Sequence, residues 1–448
     1  MNKSKKNTNI KTNTNISNIS NIVSEIQEIP LIPSISKSIT KKNKKDVNLE
    51  NIEKYIYSNK FTHIYLYNNI DNNSIKEVRL AIDNANKSDD INNVKVSPKG
   101  IILHINSPGG AITSGIALMR IVARSRVPII TYIEGISASA ATFICILSKY
   151  RVIAPHASIL IHQYSSLSMG QRDELQFNMK ISEKMYSMMT MLYRKHTNIP
   201  TKYLNELLEH DLLLTPELAL KYGLVDKILM PQNSLNIEKY FNINPEYDLS
   251  KIIFNKKTNF NNIYLYGESY WMENTFTKSL EIVVKLVDII QKHKIYNNNK
   301  TKKNNINSII SKGGSKPIIF HISDLGEFNN IYHILPIINI LSMCPIPTIS
   351  IIDGPMSEIP MLLSLFCHKT FIYHYAFITI NFVNINEGGM KLGDVLYNTK
   401  MFIKLIYKIL KTYTKLPSEI INNIFKKRYI FSAKQSVKYG LVNSILYD

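Results

Sequence analysis

The chain repeats itself, and this repeat limits the fold more than any other feature of its 448 residues. The strand-like IYLY at Ile64–Tyr67 returns at Ile263–Tyr266, and IILHI at Ile101–Ile105 returns as IIFHI at Ile318–Ile322. VPIITYIEG, ending at Gly135, returns as IPTISIIDG, ending at Gly354. LTPELALKYGLVDKIL from Leu214 returns as FSAKQSVKYGLVNSIL from Phe431. The offsets are 199, 217, 219 and 217 residues; most of the change is the polar tract YNNNKTKKNNINSIISKGGSK from Tyr296. Blocks kept in one order at nearly constant offset indicate a duplicated domain, because chance similarity does not preserve order.

Each copy reads as buried strands alternating with helices. IILHI, VPIITYI and ASILIH are short continuous apolar runs, the pattern of strands covered on both faces. A helix is expected after Ser107-Pro108-Gly109-Gly110, with apolar residues at Ile112, Ile116, Leu118, Met119 and Val122. A longer one is expected from about Asp173 to His196. A late helix opens at Thr215-Pro216-Glu217 and closes at Gly223, an N-cap, first-turn proline and C′ glycine in order. The class is α/β with parallel crossovers. The expected organisation is a basic segment over 1–50, a first domain over 51–230, a linker over 231–258 and a second domain over 259–448.

Composition removes several classes. Hydrophobic residues make up 45% of the chain, enough for a real core. Three cysteines with no CxxC pair argue against a disulfide framework or a structural zinc site, and for a reducing compartment. No run reaches the ~18 apolar residues of a membrane span. The nearest, YHILPIINILSMCPIPTISII from Tyr332, carries Asn339 and three prolines and reads as a buried helix followed by a buried strand. The net charge of +20 travels with Asn- and Lys-rich tracts, the mark of an AT-rich coding background, so nucleic-acid binding ranks last. The first 24 residues are basic and lack the apolar core of a secretory signal, leaving a transit peptide or a disordered tail.

Three features of the first copy converge on one place. INSPGG ends a strand with two glycines ahead of a helix, so backbone N–H groups can approach a substrate oxygen. EGISASAATF places a serine at a helix N-terminus, where the dipole favours developing negative charge. ILIHQ puts His162 at the end of a buried strand. Singly these are a turn, a packing serine and a core histidine; only the combination discriminates.

The combination resembles the Clp protease proteolytic subunit, a barrel-forming serine peptidase. IILHINSPGGAITSG, VPIITYIEGISASAATF, ILIHQ, MGQRDE and LLTPELALKYGLVDKIL fall in that family's order over about residues 51–230. The resemblance implies a tandem Clp/crotonase-like fold of repeated β-β-α superhelical units. It makes Ser139 the nucleophile, His162 the base and Asp211 the orienting acid, with Gly110 and Ala140 supplying backbone oxyanion donors. Asp211 follows His162 by 49 residues, as the family expects, whereas the 23 residues from Ser139 to His162 are fewer than usual. The shortening is assigned to a surface loop, SKYRVIAPH. Tyr164-Ser165-Ser166-Leu167 stands where the family carries a Pro and a Gly pair, and His210 and Leu212 flank Asp211 where arginines are common. Those positions serve ring-to-ring contact in the family.

The second copy resembles the family's non-catalytic subunits. Glu327 stands at the Gly110 position, Glu358 at the nucleophile, Asn381 at the histidine and Arg428 at the aspartate; Ser357 beside Glu358 lacks a base. The implied function is an ATP-dependent endopeptidase acting on unfolded polypeptides. It implies other Clp subunits in heptameric rings and a separate AAA+ unfoldase. No cofactor or metal is expected, and no Walker loop occurs, GGSK at Gly313 lying in a polar tract. The rivals are a wholly non-catalytic scaffold subunit and an acyl-CoA-handling crotonase-like enzyme. The expected location is a plastid-like organelle (apicoplast or chloroplast), with mitochondrion or cytoplasm as alternatives.

Overall fold

The computed structural model describes residues 52, 56–58, 60–86, 90–91, 94–95, 100–165, 168–230, 261–266, 275–300, 317–324, 331–382 and 392–447. The expectations for residues 1–50, the linker over 231–258 and Glu327 lie outside them. The first half runs β1 (Thr62–Leu66), α1 (Asn72–Asn86), β2 (Asp90–Ile91), β3 (Val94–Lys95), β4 (Ile101–Ser107), α2 (Ile112–Ala123) and β5 (Ile129–Ala138). It continues with α3 (Ala140–Leu147), β6 (Tyr150–Ile153), β7 (Ser158–Ile161), α4 (Arg172–His196), α5 (Thr201–Glu209), β8 (Leu212–Leu214), α6 (Pro216–Lys221) and β9 (Lys227–Ile228). The second half carries β10 (Asn261–Tyr266), α7 (Thr275–Lys300), β11 (Ile318–Asp324), α8 (Ile331–Ser342), β12 (Thr348–Met356), α9 (Glu358–Ser364) and β13 (Lys369–Tyr373). It closes with β14 (Phe377–Ile380), α10 (Leu392–Tyr413), α11 (Ser418–Asn423), β15 (Tyr429–Ser432), α12 (Ala433–Lys438) and β16 (Ser444–Leu446).

Every residue of β4 and β5 is buried, which is why both read as unbroken apolar runs. The first sheet orders its strands β1-β4-β5-β6-β9, all parallel. β5 serves two neighbours in turn. Ile130–Ile133 pair with β6, whereas Ile136–Ala138 pair with β7, which then turns antiparallel to β8. The hand-over follows a register shift in which Ile105 faces Ile133 but Ser107 faces Ser137, a bulge that bends β5. The second sheet has the corresponding order, β10-β11-β12-β13-β16 with β14 and β15 off the path, and a shift of equal size between Ile322 and Asp324.

Local signals correspond to observed elements. The Thr215 side chain accepts from the Leu218 N–H, Pro216 opens α6, and Gly223 follows it with a φ of 67°. The helix-then-strand reading of the run from Tyr332 corresponds to α8 and β12. One expectation fails. SKYRVIAPH is not a surface loop, because Tyr150–Ile153 form β6, parallel to β5 on one side and β9 on the other. Only the short connections on either side of this strand, at Ser148–Lys149 and Ala154–Ala157, are outside regular structure. The polar tract from Tyr296 also begins inside a helix, since α7 runs to Lys300.

The two halves share one contiguous apolar core. α8 of the second half packs on β5 of the first. There the Asn339 amide donates to the Glu134 carbonyl at 2.7 Å, and the Asn106 amide donates to the Tyr332 carbonyl at 3.1 Å. Phe366 meets the His156 ring edge-on, centroids 5.4 Å apart, and α10 lies against β8. Among the described residues no helix is long and apolar enough to cross a membrane.

Candidate active site

Ser139 sits at the turn from β5 into α3. It is the only non-glycine residue among those described with a left-handed φ, 54° with ψ −124°. A β-carbon in that region costs about 1–3 kcal/mol unless the surroundings over-determine it. Here they do. The Ser139 N–H donates to the Leu160 carbonyl at 2.9 Å, and its carbonyl accepts from the Thr142 N–H at 3.0 Å and hydroxyl at 2.6 Å. Thr142 is itself held by the Tyr193 hydroxyl of α4 at 2.5 Å. The result is a sharp strand-turn-helix elbow that lifts the serine side chain out of the sheet, leaving it half-buried.

The Gly109-Gly110 turn is pressed against this elbow. A β-carbon on Gly109 would lie 2.7 Å from Ser139 Cβ, and one on Gly110 would lie 2.4 Å from the Ile70 carbonyl oxygen. Their φ angles, 94° and 147°, also exclude ordinary side chains. The flanking N–H groups are engaged, Gly109 with Ser107 Oγ and Ala111 with the Ile70 carbonyl. The Gly110 N–H lies between them. Ala140 begins α3, so its N–H has no acceptor within the helix.

The strand ladder delivers the other two groups. β7 and β8 pair Ile159 with Leu214, Leu160 with Leu213 and Ile161 with Leu212, so one further step sets His162 opposite Asp211. His162 Nδ1 and Asp211 Oδ1 are 3.2 Å apart. Ser139, bonded through its N–H to Leu160, stands at the end of the neighbouring strand. Burial holds the His162 pKa below its usual 6.5 against the opposing pull of the Asp211 carboxylate, which leaves a neutral imidazole at pH 7. The structure brings His162 and Asp211 into contact; it contains no hydrogen bond between the Ser139 hydroxyl and His162. Cys145, a few residues along α3, is no rival nucleophile, because burial pushes its thiol up to about 12.

The second half has a different local chemistry. By register Met356 pairs with Ile378 as Ser137 pairs with Ile159, which puts Glu358 at the place of Ser139. α9 starts on Glu358 itself behind an ordinary N-cap, Ser357, with a φ of −84°, so no elbow forms. Asn381 and Arg428 stand one step beyond the β14–β15 ladder, as His162 and Asp211 do beyond theirs. Burial raises the Glu358 pKa, opposed by hydrogen bonds from its own backbone N–H and from that of Asn381. The Ser357 hydroxyl and the Asn381 side-chain oxygen are buried without hydrogen-bond partners.

Two further features escaped the sequence reading. The Asn106 side chain accepts from the Ile136 N–H at 3.0 Å, fixing the bulge beneath the elbow. Glu134, fully buried, accepts from the Tyr67 hydroxyl and meets His104 Nδ1 at 2.9 Å; His104 continues to His63 at 2.9 Å. The signal for both was a polar residue inside an otherwise apolar strand, which marks a buried partner without saying which. Among the described residues no cluster of three or more His, Cys, Asp or Glu is placed to hold a metal.

Residues 48–232 match the Clp protease family model. The matched stretch contains Ser139, His162 and Asp211, and the parallel α/β architecture is consistent with a Clp/crotonase-like fold. The match supports a Clp-type protease domain in this part of the chain.

Proposed function

We propose that the first domain is a serine endopeptidase of an ATP-dependent Clp-type protease and that the second is a non-catalytic Clp-like copy. The observation that carries this is the Ser139 elbow standing beside the His162–Asp211 pair. Ser139 Oγ attacks the scissile carbonyl carbon while His162 Nε2 takes its proton. The carbonyl oxygen, now negative, meets the Gly110 and Ala140 N–H groups; a donor of this kind is worth about 3 kcal/mol. The C–N bond then breaks as His162 returns the proton to the leaving amine, and water releases the acyl group by the reverse sequence. Asp211 fixes the imidazole tautomer that presents Nε2 to the serine.

The exposed apolar side chains of α4, Phe177 and Met179, support assembly with other Clp subunits. A separate AAA+ unfoldase would supply ATP-driven threading, and the chain itself would need no cofactor. A plastid-like organelle remains the proposed location. The missing Ser139–His162 hydrogen bond favours one second reading, a scaffold subunit with an unused serine.

Labelling the assembled protein with a serine-directed phosphonate, followed by peptide mapping, separates the two. Modification of Ser139 alone, lost in Ser139→Ala, supports the peptidase. Label at Ser357 that survives Ser139→Ala sinks the active–inactive division, and an unlabelled assembled particle establishes the scaffold.

A further inference from the structure

Asp211 lies just past the last β7–β8 ladder pair, Ile161 with Leu212, so the ladder does not hold its backbone. β8 is also only three residues long and has β7 as its one partner. Its outer edge, where a further strand would pair, is instead occupied by α10 of the second domain. Asp394 Oδ2 accepts from the Asp211 N–H at 3.0 Å, and the Asn398 amide donates to the Asp211 carbonyl at 2.6 Å. Asn398 Oδ1 accepts from the Leu213 N–H at 2.9 Å. Asp394 Oδ1 also accepts from His210 Nδ1 at 2.7 Å.

The match is geometric. Residues four apart on a helix have Cβ atoms about 5–6 Å apart. Outward-facing groups on a strand recur every second residue, roughly 6.8 Å. One turn of α10 can therefore replace a neighbouring strand and close the edge. Both side chains are almost wholly buried, Asp394 at 2% and Asn398 at 1% exposure, so the contact is built into the core rather than laid on the surface. The Asp211 carboxylate, in contrast, is 30% exposed. A side chain still partly open to water is not locked by packing alone, so its reach to His162 depends also on where the backbone is held.

Given the peptidase reading of Ser139, His162 and Asp211, we infer that Asp394 and Asn398 are positioning residues that hold Asp211 against His162. The second domain is thus a built-in activator of the first. It contributes no reacting group, yet both backbone polar groups of the orienting acid are bonded to it. A first domain cut from its partner would lose these bonds and leave the Asp211 end of β8 to water.

The test uses the full chain in its assembled state and reads the rate at which a fluorophosphonate modifies Ser139 across pH. Asn398→Ala changes no charge. It should slow labelling by about 10- to 100-fold, the usual effect of a displacement near 1 Å in a catalytic group. It should also move the acid limb to lower pH, because an imidazole that loses its carboxylate neighbour takes up a proton less readily. Asn398→Leu, of similar shape and also uncharged, loses the same bonds without leaving a cavity; it should show the same shift and a similar loss, and it serves if the alanine variant fails to assemble. Wild-type rates with an unmoved limb overturn the inference, as does a slower rate with an unmoved limb. Failure of the wild-type protein to label at all removes the peptidase reading itself, whereas normal wild-type labelling with indifferent Asn398 variants removes only the positioning role.

Discussion

His162 Nδ1 and Asp211 Oδ1 lie 3.2 Å apart because one antiparallel ladder ends a single step before both of them. The contact favours the tautomer protonated at Nδ1, which leaves Nε2 unprotonated. Asp211→Asn should preserve the fold, since the Asp211 groups bonded by α10 belong to the backbone. It should nevertheless lower turnover by about 10⁴-fold by favouring the wrong tautomer. Peptide hydrolysis by the purified variant checks this, and a near-normal rate would assign the orienting role elsewhere.

The imidazole must be neutral to accept the serine proton. Burial, outweighing the Asp211 carboxylate, holds its pKa below 6.5. The kcat/KM profile should therefore be flat near pH 7 and fall as pH drops through a value below 6.5. A limb centred above 6.5 contradicts a buried, neutral base.

Acid should also loosen the junction between the two halves. Burial, helped by the Lys408 charge, pushes the His156 pKa down to about 4 although Glu217 opposes it, and the ring packs on Phe366 across the junction. His333 in α8 is pushed down to about 4 by burial alone. Groups depressed in the folded state take up protons more readily when unfolded, so their contribution is complete above 6.5 and is lost as pH falls toward 4. Denaturant midpoints across this window should fall with pH, and His156→Gln should flatten part of that slope. A stability unchanged between pH 6.5 and 4 rules this origin out.

Assembly should depend on the outer face of α4. Phe177 and Met179 are 64% and 65% exposed, left uncovered by the described residues. Phe177→Glu should leave circular dichroism unchanged and shift native mass toward the single chain. An unaltered assembly in this variant would move the contact away from α4.

Stoichiometry gives a separate expectation. If rings hold seven places and each chain fills two side by side, three chains leave one place empty. The chain should therefore require a separate single-domain subunit to close a chamber, since closed symmetry needs every interface patch matched. Native mass of the purified chain decides it: a closed, active particle of this chain alone refutes the expectation.

Much of this was written locally. Unbroken runs such as IILHI and VPIITYI announced strands covered on both faces, and Thr215, Pro216 and Gly223 marked the ends of α6. Local motifs singled out Ser139 and His162 as candidates, whereas their roles, and Asp211 altogether, came from the family resemblance, Asp211 through its 49-residue spacing from His162. Those signals reach only as far as a turn, a cap or one strand.

What tertiary structure decided was which of these elements meet. SKYRVIAPH is too short and mixed to announce itself as β6; it became a strand because β5 and β9 offered open edges on both sides. Glu134 and Asn106 read only as odd polar residues in apolar strands until register gave them Tyr67, His104 and Ile136. Asp394 and Asn398 carry no motif at all. Their bonds to Asp211 cross more than 180 residues and exist only because α10 docks along the edge of β8. Period and capping are properties of neighbouring residues, whereas a docking register is a property of two surfaces, and it is settled only when both have folded.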